Sequence, residues 1–263
     1  MLNTRRNARA VAVAMCLVAG VIGTLGGFLL FVDGYHPLIE AELTAGRPDE
    51  AFIVTYLIPL LTDLAIAGGV LWLLAAYGFA SAAGWAVSLA VVANVLSLLA
   101  GFFPMIPAMS RGVIPSYALL FVPNLIFYFV LLGYVRPTQR GVLVLSFLSG
   151  IAYVLCFMNG VASIDKIIVT HRPLFIPVQQ TSWLSSAAWG LFTVALLLRR
   201  PWVRELGLGA GAAAVISGFP LAVSTTLELG RFSMFSPAPL LSLALLVYLL
   251  TRSGRQMIAA WAG

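Results

Sequence analysis

The amino-acid sequence predicts an all-α polytopic membrane protein with eight transmembrane helices, arranged as two parallel four-helix repeats. The first observation is the composition: 61% of the 263 residues are hydrophobic and 9% are charged, and the mean hydropathy is +1.02. Soluble domains carry roughly 25% charged residues. The second observation is that apolar runs of around 20 residues recur, each long enough to cross about 30 Å of hydrocarbon as a helix. A soluble globular protein is therefore excluded.

The positions of the arginines predict how these helices are oriented. Arg5, Arg6 and Arg9 precede the first run, and arginine pairs follow the fourth, sixth and eighth runs. A multi-pass protein of the cell membrane with both termini cytoplasmic puts all of them on the cytoplasmic side, as the positive-inside rule requires. The first run is too long for a signal peptide. The eight predicted spans cover residues 11–32, 52–76, 82–103, 114–135, 141–161, 181–198, 208–223 and 237–250.

The two halves of the chain share an outline, which predicts an internal duplication. Residues 1–137 form a first four-helix half that carries the candidate site, and residues 138–263 form a degenerate second half. A Gly-Phe-Phe-Pro step at residues 101–104 ends the third span, and a Gly-Phe-Pro step at residues 218–220 lies late in the seventh. Four spans per half give both halves the same orientation. A chance likeness of hydropathy is the alternative.

The charge and the cysteines narrow the choice of partners. The net charge of +6 does not indicate nucleic-acid binding, because the arginines lie in short segments between apolar runs. Cys16 and Cys156 fall inside apolar runs, so they indicate neither a disulfide nor a metal site. Nucleotide-binding and zinc-hydrolase motifs are absent from the sequence. We predict a membrane lipid or hydrophobic small molecule as the partner, with no cofactor, metal or nucleic acid, and leave the oligomeric state open.

Residues 33–42 form a polar stretch directly after the first span. It includes Asp33, His36 and Glu40. If the helix continues past Pro37, His36 and Glu40 lie at i and i+4 on one face. An imidazole and a carboxylate held together beside lipid are suited to binding a cation or moving a proton. A solvated loop with ordinary polar residues is the alternative.

Asp63 lies inside the second span. A carboxylate there costs several kcal/mol unless it is neutral, paired or hydrated, so a protonated acid that donates its proton is the functional interpretation. The structural alternative is a neutral Asp63 that is hydrogen-bonded to Asn94 or Asn124, in the third and fourth spans.

Aromatic side chains are numerous, and they are either lipid-facing or line a cavity in which their faces stabilise a cation. Periodicity does not decide between the two, because every face of these helices is apolar. The candidate catalytic residues are Asp63, Glu40 and His36, and the candidate substrate-binding residues are Asn124, Phe127, Tyr128, Asn94, Trp72 and Asp33.

The first half resembles an EXPERA domain, the four-helix module of emopamil-binding sterol isomerases and sigma-2 receptors. The likeness covers about residues 28–135 and rests on His36-xxx-Glu40, on Asp63, and on the Asn-Leu-Ile-Phe step at residues 124–127. The resemblance implies a cavity, lined by these positions, that receives sterols or cationic amphiphiles. The chain departs from the family pattern at Asn94 and Ser97, where the third span often carries an acid, and its second half lacks these motifs.

The leading functional hypothesis is a membrane enzyme that acts on an apolar isoprenoid such as a sterol or terpenoid. Asp63 or Glu40 would protonate an alkene or epoxide, and a base would then remove a proton to give a shifted double bond or a new ring. The chemistry makes the protein an isomerase or a terpene cyclase without a cofactor. A lipid or small-molecule transporter and a non-catalytic membrane subunit are the alternatives.

Overall fold

A computed structural model of the protein describes residues 2–262, with side chains from Arg6 to Trp261. The structure is 85% helical, and no strand occurs among the residues it describes. The helices are α1 (Leu2–Val21), α2 (Gly27–Thr44), α3 (Pro48–Ala80), α4 (Ala86–Phe102), α5 (Met105–Ser110), α6 (Ala118–Val130), α7 (Arg140–Thr170), α8 (Phe175–Leu197), α9 (Val203–Leu229), α10 (Pro237–Leu250) and α11 (Arg252–Ala262). Two π-helical segments, Ile22–Gly26 and Leu131–Val135, join α1 to α2 and follow α6.

The lengths and compositions of these helices confirm the prediction of an α-helical multi-pass membrane protein. In the part of the chain that the structure describes, six helices are long and apolar enough to cross a membrane, or seven if α10 and α11 count as one bent span. The helix α8 has 23 residues but is less apolar, because its first half carries two glutamines and three serines. Buried serines of this kind are typical of helix–helix contacts in membranes.

The first span is longer than the sequence predicts. The continuous helix runs over Arg6–Thr44, whereas the predicted span ends at Val32. Pro37 lies inside α2 and removes one backbone hydrogen bond, but the helix continues because Leu38 and Glu42 remain packed on its buried side. The polar stretch at residues 33–42 is therefore helical.

The chain folds into two compact units, the first ending at Thr138 and the second beginning at Gln139. In unit 1, α3 packs against α1, α2 and α4, and α6 packs against α4. Leu30, Ile58 and Leu120 belong to its buried core. In unit 2, α7 packs against α8, α8 against α9, and α10 against both α9 and α7. Each unit is thus built from helices that pack in chain order.

A very close helix crossing in unit 1 is made by two glycines. Gly23 lies in the first π-helical segment and Gly69 lies on α3. A Cβ atom added at Gly69 would lie 2.6 Å from the backbone nitrogen of Thr24. The π-helical turn occurs at this crossing, where the regular α-helical spacing is interrupted. The position of α2 along α3 is therefore determined by backbone packing.

The last helix turns away from its span. The axis of α11 makes an angle of 77° with that of α10, which has 14 residues. Ile258 and Trp261 are buried, whereas Arg252 and Arg255 are exposed. The Trp261 indole donates a hydrogen bond of 2.7 Å to the Leu196 carbonyl. The helix α11 is thus amphipathic and covers one end of unit 2.

Candidate functional site

A buried cluster of amides and aromatic rings lies at the centre of unit 1. The indole Nε1 of Trp72 donates a 3.0 Å hydrogen bond to Asn124 Oδ1, and Asn94 Nδ2 donates a 2.8 Å bond to the Asn124 carbonyl. Phe127 meets Trp72 edge-on, with ring centroids 6.5 Å apart. Trp72, Asn94 and Asn124 are all buried. The structure thus brings together four of the six predicted substrate-binding residues.

The local sequence explains why Asn124 becomes the centre of this cluster. Pro123 lies inside α6 and cannot donate a backbone hydrogen bond, so the ladder of the helix is interrupted beside it. Asn124 donates from Nδ2 to the Leu120 carbonyl at 2.8 Å and accepts bonds from two other helices. Tyr128 follows one turn later, also buried, with its ring edge-on to Phe129.

Two acceptors in this cluster remain available. Asn94 Oδ1 and Ser97 Oγ are buried and have no hydrogen-bond partner within residues 2–262. Both side chains lie on α4, three residues apart. The Ser97 hydroxyl occupies the space left by the missing side chain of Gly68, since a Cβ there would lie 2.6 Å from Oγ. The centre of unit 1 can therefore accept further hydrogen bonds.

Asp63 does not face this cluster. It lies close to the midpoint of the 33-residue helix α3, more than about 20 Å from either end, and its side chain is exposed. Its carboxyl forms no hydrogen bond or ion pair with any part of the chain that the structure describes, so the predicted alternative of a bond to Asn94 or Asn124 is not formed. Its neighbours on the same exposed stripe of α3 are Phe52, Tyr56, Leu60, Ala67, Val70, Leu74 and Tyr77.

Asp33, His36 and Glu40 form an exposed polar stripe on α2. Their spacing places them on one helix face, as the sequence predicts for a continuous helix. The His36 ring meets the Tyr35 ring at 5.3 Å, and the Tyr35 hydroxyl donates to the Thr55 carbonyl. The stripe therefore lies beside the first part of α3.

Asp63 and the His36–Glu40 pair lie at different depths in unit 1. Gly27 packs against Ala65, since a Cβ at Gly27 would lie 3.3 Å from the Ala65 Cβ. His36 lies about 13 Å along α2 from Gly27, and Asp63 lies about 3 Å along α3 from Ala65. Both displacements point toward the same end of the bundle, because α2 and α3 run in opposite directions. About 10 Å along the bundle therefore separates the two groups. The structure does not bring the three predicted catalytic residues together.

A buried ion pair that the sequence analysis missed joins three segments of unit 1. Glu42 is 2% exposed, and its carboxylate accepts a 2.7 Å bond from Arg111 Nε. Arg111 Nη2 also donates to Glu50 at 3.0 Å, and Glu50 pairs with the exposed Arg47. The bond to Glu42 raises the pKa of the Arg111 guanidinium. The group links α2, the start of α3 and the connection after α5.

Unit 2 contains its own hydrogen bonds and ion pairs between helices. The Trp189 indole donates a 3.2 Å hydrogen bond to Ser242 Oγ, from α8 to α10. Glu228 pairs with Lys166 and with Arg172. Arg231 lies three residues after Glu228, but no ion pair between the two is formed. The left-handed residue Gly230 separates them and ends α9.

Within the described residues, no group of three or more histidine, cysteine, aspartate or glutamate side chains has the geometry to hold a metal ion. Comparisons with protein-family models, with curated proteins and with solved structures find no match to this chain.

Proposed function

We propose that the protein crosses the membrane eight times, with both termini in the cytoplasm. The helix α8 has the length of a span, about 34 Å, and α10 continues into the amphipathic α11. An amphipathic helix with exposed arginines is suited to the membrane–water interface. The Arg199 guanidinium lies 4.0 Å from the centre of the Trp261 ring, a cation–π contact at the same end of unit 2.

Cysteine labelling tests this topology. In a variant without Cys16 and Cys156, an impermeant maleimide added to intact cells is expected to label cysteines at Thr44, Met109 and Arg231, because these exposed positions lie outside. A cysteine at Gln139 is expected to react only after the cells are permeabilised. Labelling of the Gln139 position in intact cells would contradict the eight-span arrangement.

The proposal includes two parallel repeats, and paired contacts support it. In each half of the chain a tryptophan of the second predicted span donates to the fourth. Trp72 on α3 donates to Asn124 on α6, 52 residues later, and Trp189 on α8 donates to Ser242 on α10, 53 residues later. The glycines of the two Gly-Phe steps also contact these acceptor helices, α6 and α10. A Cβ at Gly101 would lie 2.8 Å from the backbone of Phe121, and one at Gly218 would lie 2.9 Å from Pro239.

We infer that Asp63 acts on an apolar, lipid-borne molecule that reaches it from the bilayer. The observation that carries this inference is a carboxyl exposed on an apolar stripe at the middle of a long membrane helix. A charged side chain inside the hydrocarbon costs several kcal/mol, which makes an ionisable residue there a functional candidate. A neutral carboxylic acid in hydrocarbon is a proton donor for a substrate that also resides there.

The proposed reaction is an acid-initiated isomerisation of an isoprenoid. The Asp63 proton forms a new C–H bond with one carbon of a double bond, which leaves a carbocation on the other carbon and a carboxylate on Asp63. The carboxylate then removes a proton from an adjacent carbon, and that C–H electron pair becomes the shifted double bond. If a second double bond attacks the cation first, the product is a ring. No oxidant or reductant is required.

A second candidate function follows from the same exposed stripe. An unpaired carboxyl on an apolar membrane helix is also a contact point for a partner helix that carries a basic or hydrogen-bonding side chain. In that case the protein is a non-catalytic subunit of a larger membrane assembly. The two candidates differ in what touches the stripe, a lipid-sized molecule or a protein.

Photocrosslinking distinguishes these candidates. Benzoylphenylalanine is placed at Leu60 or Ala67, one turn on either side of Asp63, and at the exposed Ile216 of unit 2 as the control. After irradiation of native membranes, the enzyme proposal expects isoprenoid adducts at Leu60 and Ala67 but not at Ile216. A protein-sized adduct at these positions would establish the subunit function. The same phospholipid adducts at all three positions would contradict both.

A further inference from the structure

Unit 2 contains a buried hydrogen-bond donor that has no acceptor in the described part of the chain. The indole of Trp183, on α8, lies directly on the backbone of Gly160, on α7: a Cβ at Gly160 would lie 2.3 Å from Nε1. The ring stacks on Phe157, with centroids 6.0 Å apart and planes at 16°. The Nε1 atom is buried and has no acceptor among residues 2–262. The buried indoles of Trp72 and Trp189, in contrast, both have one.

Two further buried oxygen atoms without a partner belong to the residues that precede Gly160 and Trp183 in the chain. Asn159 precedes Gly160 and donates from Nδ2 to the Phe235 carbonyl at 3.1 Å, which determines the orientation of its amide. Its Oδ1 atom is left without a donor in the described chain. Ser182 precedes Trp183, and its hydroxyl is likewise unpartnered there. Both side chains are 1% exposed.

One molecule that both donates and accepts hydrogen bonds would satisfy the unpaired indole N–H and one of the two unpaired oxygens. Buried polar groups are almost always hydrogen-bonded, and leaving one unpaired in a membrane bundle is costly. We propose that unit 2 binds a hydroxyl group, which accepts from Trp183 Nε1 and donates to Asn159 Oδ1 or Ser182 Oγ. The hydroxyl belongs to an ordered water molecule or to a lipid-borne alcohol.

The chemistry of this site excludes a charged ligand. A carboxylate or phosphate would place its charge beside the two unpaired oxygens, and an ammonium group has no acceptor capacity for the indole N–H. The hydrogen-bonding groups identified at the site are an indole, an amide and a hydroxyl, all neutral. The site does not involve Asp63, so it stands independently of the proposed isomerase function.

Indole N–H resonances test this proposal directly. The full-length protein is labelled with ¹⁵N-tryptophan in detergent, and Trp183→Phe assigns the Trp183 signal. Titration with n-octanol, as a probe alcohol, is expected to shift that signal saturably. The Trp72 and Trp189 signals serve as matched controls and are expected to stay in place, because their N–H groups are already bonded within their own units.

Two further measurements show whether the bound hydroxyl belongs to water or to an alcohol, and use the Trp189 signal to check that the variants are folded. Without alcohol, a cross-peak between the Trp183 N–H and water that survives dilution of the detergent identifies ordered water as the occupant. Ser182→Ala and Asn159→Leu each remove one of the two oxygens with little change in volume. The variant that removes the acceptor of the hydroxyl is expected to weaken octanol binding or the water cross-peak at least several-fold, while the Trp189 signal is unchanged. A Trp183 signal with neither a water cross-peak nor a saturable shift would overturn the proposal.

Discussion

Replacing Asp63 with asparagine is expected to lower turnover of the isoprenoid about 10²-fold or more while the protein still folds. Asparagine keeps the shape of the side chain and a hydrogen-bonding group but has no proton to transfer. The exposed position of Asp63 supports the expectation for folding, since no contact within the described chain is lost. The measurements are conversion of the isoprenoid recovered by crosslinking and thermal unfolding in detergent.

The matched control is Asp49→Asn, the same substitution in the first turn of the same helix. Asp49 is about 20 Å from Asp63, so turnover is expected to stay within a few-fold of the native value. Normal turnover in Asp63→Asn would remove Asp63 from the mechanism. Reduced yield and melting temperature with unchanged specific activity would instead indicate a structural carboxyl.

Glu40→Gln reports on how the proton returns to the enzyme. Since Glu40 lies about 16 Å from Asp63 along the bundle, the Asp63 carboxylate is expected to recover the proton itself, and Glu40→Gln is expected to change turnover only a few-fold. A loss as large as that of Asp63→Asn would show that the His36–Glu40 pair takes part.

Replacing Arg111 with methionine is expected to destabilise the protein by about 3–5 kcal/mol, the largest effect on stability that we anticipate. The substitution leaves the Glu42 carboxylate buried without its cation, and an unpaired buried charge is costly. The loss is measured as a shift in the denaturant or thermal unfolding transition in detergent.

The control for this prediction is Arg47→Met, which removes the exposed partner of Glu50. The Arg47 side chain is 54% exposed, so its ion pair is expected to contribute at most about 1 kcal/mol. The double variant Glu42→Leu/Arg111→Met removes both charges and is expected to recover most of the stability. Equal effects of Arg111→Met and Arg47→Met would contradict the assignment of Glu42 as a buried charge.

Hydropathy predicts that the chain is an α-helical membrane protein, because a continuous apolar segment of this length can hydrogen-bond all of its own backbone groups in hydrocarbon only as a helix. The ends of the helices do not follow from it. The predicted first span stops at Val32 since polarity begins there, yet the backbone bonds of the helix continue to Thr44 in a polar stretch. Hydropathy reports the surroundings of a helix rather than its length.

The direction in which polar side chains point was the least predictable property. Asp63, Asn94 and Asn124 all lie in runs whose faces are uniformly apolar, so periodicity does not separate the exposed acid from the buried amides. For Glu42 a signal did exist: it lies four residues after the buried Leu38, on the same face of a continuous helix. Recognising it requires knowing that the helix passes Pro37.

The hydrogen bond between Trp72 and Asn124 also has a consequence for biosynthesis. The helix α3 leaves the ribosome before α6, and 52 residues of synthesis separate the indole from its acceptor. During that interval the native partner of Trp72 does not yet exist. The buried hydrogen bonds of unit 1 thus form only after its last helix has entered the membrane. In unit 2 the bond from Trp189 likewise forms only after Ser242 has been synthesised. Insertion of helices and closure of each bundle are therefore separate events in time.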